Sequence, residues 1–352
     1  MMRKIVAGLI GVVFIVTIGV FAIPEPDPFP AVPLPELGDG PITLRVVRAI
    51  NPRFDALTEA EFEEVLRQTV DLVQFHFGLE VQFERGEDYD VSELMKLNPP
   101  AAREDAIGLT YELPDPSRAP MRLAGMIARA LENGQSSIAE AVEVLGPLIP
   151  GAAEMDVDDL ALAIAEVWAN GLRRWQGLRA QDRRPVIDFG INHQKAIWDV
   201  LGYGDLPFEI VMTNQLIASA ELYGFYPGLA KLGGLSLGST AFSRSSSLGT
   251  FGMVSTFFLV NDLGNLSNLG PNQIIHDPSV IRENALTLTH EIGHMLMHLG
   301  HPEGKPGCIM SAAYLDVQSA PEVPCPVNSE PAMIPGAGPF TIDRKLLESV
   351  TK

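Results

Sequence analysis

The chain has 352 residues, 46% of them hydrophobic, which suffices for one large domain or for a domain with a substantial insertion. It carries 44 acidic against 25 basic residues, a formal net charge of −19. Such an acidic surface repels nucleic acid and anionic lipid headgroups, so we expect no nucleic-acid partner.

A membrane-directed segment opens the chain. Residues 1–4 (MMRK) are basic, and an uncharged apolar run follows from Ile5 to Ile23. As a helix this run is roughly 28 Å long, close to the thickness of a bilayer core. Its length favours a retained anchor over residues 1–23, whereas the small residue Ala22 fits a signal peptide that is cleaved and releases a secreted protein. In either case we expect the rest of the chain to lie outside the cytoplasm.

Residues 24–41 form a proline-rich linker. Seven prolines occur in this short stretch, which favours an extended, stiff conformation without secondary structure. We therefore expect a spacer between the N-terminal segment and one folded domain of residues 42–352.

The domain begins with a predicted β-α-β unit. Residues Ile42 to Ile50 read as a strand, and Thr58 with Glu61 reads as a capping box that opens a helix with one apolar face. A second strand is predicted over residues 79–84, where apolar and polar residues alternate.

Residues 86–205 are predicted to be a largely helical insertion. Four stretches, 121–131, 137–145, 157–172 and 191–201, carry apolar residues at helical spacing. No motif in this insertion points to chemistry. Further strands are predicted near 208–213, 234–241 and 256–260, with a Ser/Gly-rich loop over 243–252.

The most informative stretch is a predicted helix that contains His290-Glu291-Ile292-Gly293-His294. Side chains four residues apart lie on one face of a helix, so the two histidines can bind one metal ion. The glutamate next to the first histidine can then act as a general base. This pattern indicates metal-assisted hydrolysis, most often of a peptide bond.

A third protein ligand is required, and two histidines compete for the role. His298 continues the helical face, but it lies about 12 Å along the axis from His290, too far for a shared ion. His301 follows Gly300, which we expect to end the helix and to turn the chain back toward the metal. The spacing therefore favours His301 and leaves His298 as a polar residue near the site.

At these residues the chain resembles the metzincins, a clan of zinc metallopeptidases with an H-E-x-x-H-x-x-G-x-x-H helix and a downstream methionine turn. His290, Glu291 and His294 match that motif, and Cys308-Ile309-Met310-Ser311 resembles the methionine turn. The chain departs from the motif in spacing, because Met297 holds the glycine position and the last histidine arrives one residue late. Either the loop bulges by one residue or the bend falls later.

The resemblance implies an α+β fold, a metzincin-like catalytic domain with a mixed twisted sheet and a zinc-binding active-site helix. It implies one catalytic Zn²⁺ held by His290, His294 and His301, with Met310 as a supporting residue beneath the metal. Tyr314 would line the substrate cleft. Residues 233–240 resemble the edge strand on which such enzymes bind an extended substrate, which brings Gly234 and Ser236 to the cleft.

The two cysteines, Cys308 and Cys325, both follow the predicted metal helix. In an exported chain such a pair most simply forms one disulfide, which closes a short loop and is worth about 3 kcal/mol. A second metal site is the alternative reading, although this segment supplies few further ligands.

Together these features predict a zinc-dependent endopeptidase that acts on proteins or peptides outside the cytoplasm, in contact with the membrane if its N-terminal segment is retained. The alternatives are a non-catalytic zinc-containing module that binds a partner at the surface, or a protease that inhibits itself through the linker or the insertion. Glu291 favours an enzyme, because a structural zinc site has no use for a base and usually closes with a fourth protein ligand.

Overall fold

A mixed β-sheet organises the protein in a computed structural model that describes residues 40–94, 97, 120–133, 137–179, 182–184, 186, 206–218, 227–242, 248–257, 278–299 and 309–310. The strands are β1 (Ile42–Ile50), β2 (Val81–Arg85), β3 (Tyr89–Asp90), β4 (Ile210–Thr213), β5 (Ile217–Ala218), β6 (Leu235–Ser236), β7 (Gly238–Phe242) and β8 (Thr250–Ser255). The helices are α1 (Glu59–Phe77), α2 (Val91–Leu94), α3 (Pro120–Glu132), α4 (Ile138–Leu145), α5 (Val157–Gly177), α6 (Pro227–Lys231) and α7 (Pro278–Met297).

The main sheet has the order β2-β1-β4-β8-β7, and β3 also pairs with β1. β2, β1, β4 and β8 run parallel, whereas β7 runs antiparallel to β8. β5 and β6 form a separate antiparallel pair. The sheet is thus mixed and the fold is α+β, as the sequence predicts.

Both faces of the sheet are covered. Along β1, Leu44 and Val46 are buried on the face that packs against α1 and α7, while Val47 and Ala49 are buried on the other face. This alternation follows from the two-residue period of a strand, and the cover on both faces leaves every residue of β4 and β8 buried.

The opening unit matches its prediction. The Thr58 side chain accepts from the Glu61 backbone N–H and the Glu61 carboxylate accepts from that of Thr58, so the capping box that begins α1 is present. Gly78 ends α1 in a left-handed conformation, with φ of 70°.

Three of the four predicted helices between residues 86 and 205 are confirmed as α3, α4 and α5. With α6 they enclose a second hydrophobic core of their own, built around Ile127, Leu145, Leu160 and Trp168. The fourth predicted helix, over residues 191–201, lies outside the described residues.

The strand predicted near residues 256–260 is wrong at Thr256 and Phe257, which lie outside any strand, and residues 258–260 lie outside the described part of the chain. The structure places β8 at Thr250–Ser255, so the end of the stretch predicted as a Ser/Gly-rich loop is instead a buried strand. Gly252 explains the error, because a Cβ at this position would lie 2.5 Å from the Met295 sulfur of α7. The glycine permits close packing of helix on strand and does not mark a loop.

In the part of the chain that the structure describes, no helix is long and apolar enough to cross a membrane. The predicted anchor or signal peptide (1–23) and most of the linker (24–41) lie outside that part.

A buried histidine near the end of α1 predicts sensitivity to acid. His76 is 3% exposed, and neither ring nitrogen hydrogen-bonds to any group in the described residues. Burial, with a smaller contribution from the Arg282 charge, lowers the pKa of His76 to about 4, below its usual 6.5. Between these two values the unfolded chain binds a proton that the folded chain does not, so stability present above pH 6.5 is lost as the pH falls toward 4.

The variant His76→Phe keeps an aromatic ring and cannot take up this proton. Urea unfolding is measured for both proteins at pH 7 and at pH 5, in the presence of a metal chelator. Between pH 7 and pH 5 the free energy of unfolding should fall by about 1 kcal/mol less in the variant than in the parent. An equal fall in the two proteins would contradict this assignment.

Candidate metal centre

Helix α7 brings the rings of His290 and His294 together. Their Nε2 atoms are 3.0 Å apart, and the ring planes are nearly perpendicular, at 88°. The helix is oriented by its apolar stripe, because Leu288, Ile292 and Met295 are all fully buried in the core. The two histidines lie off this stripe, one turn apart, as the sequence predicts.

Backbone carbonyls fix how the two rings are protonated. His290 Nδ1 lies 2.7 Å from the Ile309 oxygen, and His294 Nδ1 lies 2.5 Å from the Leu299 oxygen. A carbonyl oxygen only accepts, so we assign the proton of each neutral ring to Nδ1. Each Nε2 then carries a lone pair, and both lone pairs are directed into the same space.

Burial keeps His290 neutral. It lowers the pKa of the ring to about 4, although the hydrogen bond to Ile309 acts in the opposite direction. Two neutral rings whose lone pairs face each other at 3.0 Å repel unless a cation lies between them. Two imidazole ligands at about 2.1 Å from one zinc ion stand roughly 3.0–3.4 Å apart, so this pair fits zinc as it stands.

Glu291 lies against the edge strand β7. Its carboxylate is buried, and Oε2 accepts a hydrogen bond of 2.6 Å from the Thr240 hydroxyl. Gly238, two residues before Thr240 and on the same face of the strand, leaves room for the carboxyl group. A Cβ at Gly238 would overlap Oε1 and lie 2.7 Å from Cδ.

The segment of Ile309 and Met310 packs directly beneath the two histidines. Met310 is fully buried, and a Cβ at Gly293 would lie 2.5 Å from its sulfur and 2.7 Å from Cζ of Phe77. Because Gly293 has no side chain, Met310 can pack directly against α7 at this position. Because Ile309 also accepts from His290, the same short segment orients a candidate ligand.

Helix α7 ends earlier than the sequence predicts. The expected end at Gly300 is wrong, because α7 ends at Met297 and His298 takes the left-handed conformation, with φ of 49°. The His298 N–H donates to the His294 oxygen at 3.2 Å, and the Leu299 N–H to the Gly293 oxygen at 3.3 Å. The bend lies at a residue other than glycine, and because such residues rarely take a positive φ, the sequence does not predict it.

This bend accounts for the shifted spacing. In the motif that the chain resembles, the bending glycine precedes the last histidine by three residues. Here the bend at His298 precedes His301 by three residues, so both have moved one position along the chain. The bend at His298 is one position later than the glycine of that motif, and residues 300 and 301, on which the alternative of a bulge depends, lie outside the described residues.

The remaining predicted site residues divide into two groups. Gly234 lies in the turn before β6, where its N–H donates to the Leu229 oxygen at 2.7 Å. Ser236 lies in β6 itself, which pairs with β5. The strand that borders the main sheet on this side is β7. His301, Cys308, Tyr314 and Cys325 lie outside the described residues, so the predicted third ligand, cleft tyrosine and disulfide remain predictions.

Thr240 and Gly238 are functional candidates that sequence reasoning missed. The sequence signal is a glycine and a threonine at alternate positions of a predicted edge strand, which place them on one face. Their contact with a residue 51 positions along the chain could not be read from spacing alone.

Among the described residues no group of three or more His, Cys, Asp or Glu side chains is placed so that it could hold a metal ion. No protein-family model matches the chain, and neither the curated proteins nor the solved structures contain a match.

Proposed function

We propose that this protein is a zinc-dependent endopeptidase of the metzincin type. The observation that carries the proposal is the convergence of the His290 and His294 Nε2 atoms, 3.0 Å apart, with both Nδ1 atoms engaged by carbonyls. His301 would complete the ligand set, three residues beyond the bend at His298. A site with three protein ligands leaves one position open, as catalytic zinc sites do.

Zinc in such a site polarises a carbonyl group and lowers the pKa of water toward neutrality. Glu291 would accept the proton of the attacking water and pass it to the leaving amine. Thr240, which donates to Oε2, restrains the carboxylate in this position. Exclusion of water around the buried carboxylate strengthens these interactions.

The edge strand β7 supports a peptide as the substrate. In the described part of the chain no strand pairs with its outer edge, and it lies beside Glu291. An extended peptide could add to this edge through main-chain hydrogen bonds, which would bring a scissile bond near the two histidines. The basic residues 3–4 and the apolar run that follows them support an activity outside the cytoplasm, at the membrane if the segment is retained.

Metal removal tests the proposal. Dialysis of the full chain against a chelator should abolish cleavage of a mixed peptide library, and one equivalent of Zn²⁺ should restore it. His294→Gln removes one of the two converging imidazoles. It should lower zinc affinity by about 10²-fold or more and abolish activity at limiting zinc. Full activity of the chelated protein, confirmed free of zinc, would contradict the proposal.

A further inference from the structure

Helix α5 touches the main chain of the segment that leads into the edge strand. A Cβ at Gly171 would lie 2.7 Å from the Gly233 Cα, and one at Gly233 would lie 2.5 Å from the Gly171 carbonyl carbon. Gly233 also has a left-handed φ of 68°, which disfavours side chains. Two backbones in such close approach have no side chain between them that could yield.

A hydrogen bond and a hydrophobic cluster reinforce this contact. One turn beyond Gly171, the buried Trp175 donates from Nε1 to the Leu232 oxygen at 2.8 Å. Trp175, Leu172, Leu232 and Leu235 share one cluster of buried side chains. The position of the segment at residues 232–235 is therefore set by α5.

Only a few residues separate this segment from the general base. The chain passes from Gly233 through β6 to Leu237, whose carbonyl accepts from the Ser255 N–H of β8 at 2.7 Å. Gly238 then packs against the Glu291 carboxyl group, and Thr240 donates to it. A shift of about 1 Å at Gly233 can therefore move the Glu291 carboxylate, because the chain between Gly233 and Gly238 is short and extended.

We propose that α5 is a positioning element for the site: through the Gly171–Gly233 contact it sets the location of β7 and with it the Glu291 carboxylate. This inference rests on the proposed function, and it gives a role to a helix in which the sequence shows no chemical motif. Gly171 and Trp175 are then positioning residues. Neither touches Glu291 in the contacts described above.

A pair of variants in the same helix tests the inference. Gly171→Ala places a methyl group against the Gly233 backbone, whereas Gly177→Ala meets no atom within 4 Å. Both changes replace a glycine of α5 by alanine, and only Gly171→Ala introduces a contact. Two quantities are measured on the full zinc-loaded chain: hydrogen exchange of residues 235–242 by mass spectrometry, and kcat and KM for a peptide substrate.

We expect Gly171→Ala to bind zinc as the parent does, to exchange about tenfold faster over residues 235–242, and to lose about tenfold or more in kcat with KM within about twofold. Gly177→Ala should match the parent in all of these. If Gly171→Ala does not fold, Trp175→Phe, which removes only the indole donor, is judged by the same criteria.

Each result is decisive. Unchanged exchange over residues 235–242 would overturn the link between α5 and β7. Faster exchange with unchanged kcat would overturn the positioning of Glu291. A parent protein that binds zinc but cleaves no peptide would refute the proposed function, and the exchange data would still decide whether α5 sets the strand.

Discussion

The Glu291→Gln variant is expected to bind zinc with the affinity of the parent and to lose about 10²- to 10⁴-fold in kcat. The amide keeps the size of the side chain and can still pair with the Thr240 hydroxyl, but it cannot take a proton from water. Zinc affinity should not change, because the two histidine rings are held through their Nδ1 atoms by the carbonyls of Ile309 and Leu299 and not by Glu291.

A second glutamate in the same helix provides the control. Glu283 is buried, at 6% exposed, and lies about two turns before His290. Glu283→Gln changes a buried carboxyl group of α7 at a distance from the two histidines, so its kcat per bound zinc should equal that of the parent. Full activity of zinc-loaded Glu291→Gln would show that the base is misassigned.

The Gly238→Ala variant is expected to fold and bind zinc, yet to lose about 10²-fold in kcat. The added methyl group would meet only the end of the Glu291 side chain among its three nearest atoms, and this side chain can rotate away. Stability should fall by about 1–3 kcal/mol, because the buried carboxylate gives up the Thr240 hydrogen bond when it moves by about 1 Å or more. A displacement of that size is costly in catalysis.

Variants of Thr240 distinguish the effect of moving the Glu291 carboxylate from the effect of losing its hydrogen bond. Thr240→Ser retains the hydroxyl and should keep most of the activity, whereas Thr240→Val removes the donor to Oε2 and should lower kcat by about tenfold or more at unchanged zinc affinity. If Gly238→Ala retains the kcat of the parent, the carboxylate does not act from its place against β7.

Local signals in the sequence predicted the elements that carry the site. Pro278 and the stripe of Leu288, Ile292 and Met295 located α7 and its orientation, because a helical face follows from spacing within one element. The capping box at Thr58 located the start of α1 in the same way.

Long-range packing explains the parts that could not be predicted. Gly252 read as part of a loop because nothing nearby in sequence reveals that Met295 packs against it. Helix α7 ends at Met297 because the next residue, His298, takes a positive φ. Local propensity disfavours this conformation for a residue other than glycine. The contacts of Glu291 with Gly238 and Thr240 exist only once β7 lies beside α7.

Zinc K-edge X-ray absorption of the zinc-loaded full chain identifies the atoms that bind the metal. We expect three imidazole nitrogens and one oxygen, all at about 2.0–2.2 Å from the metal, with one imidazole lost in His301→Ala. A sulfur ligand at about 2.3 Å, which would bring Cys308 or Cys325 into the site, or an unchanged spectrum in His301→Ala, would contradict this ligand set.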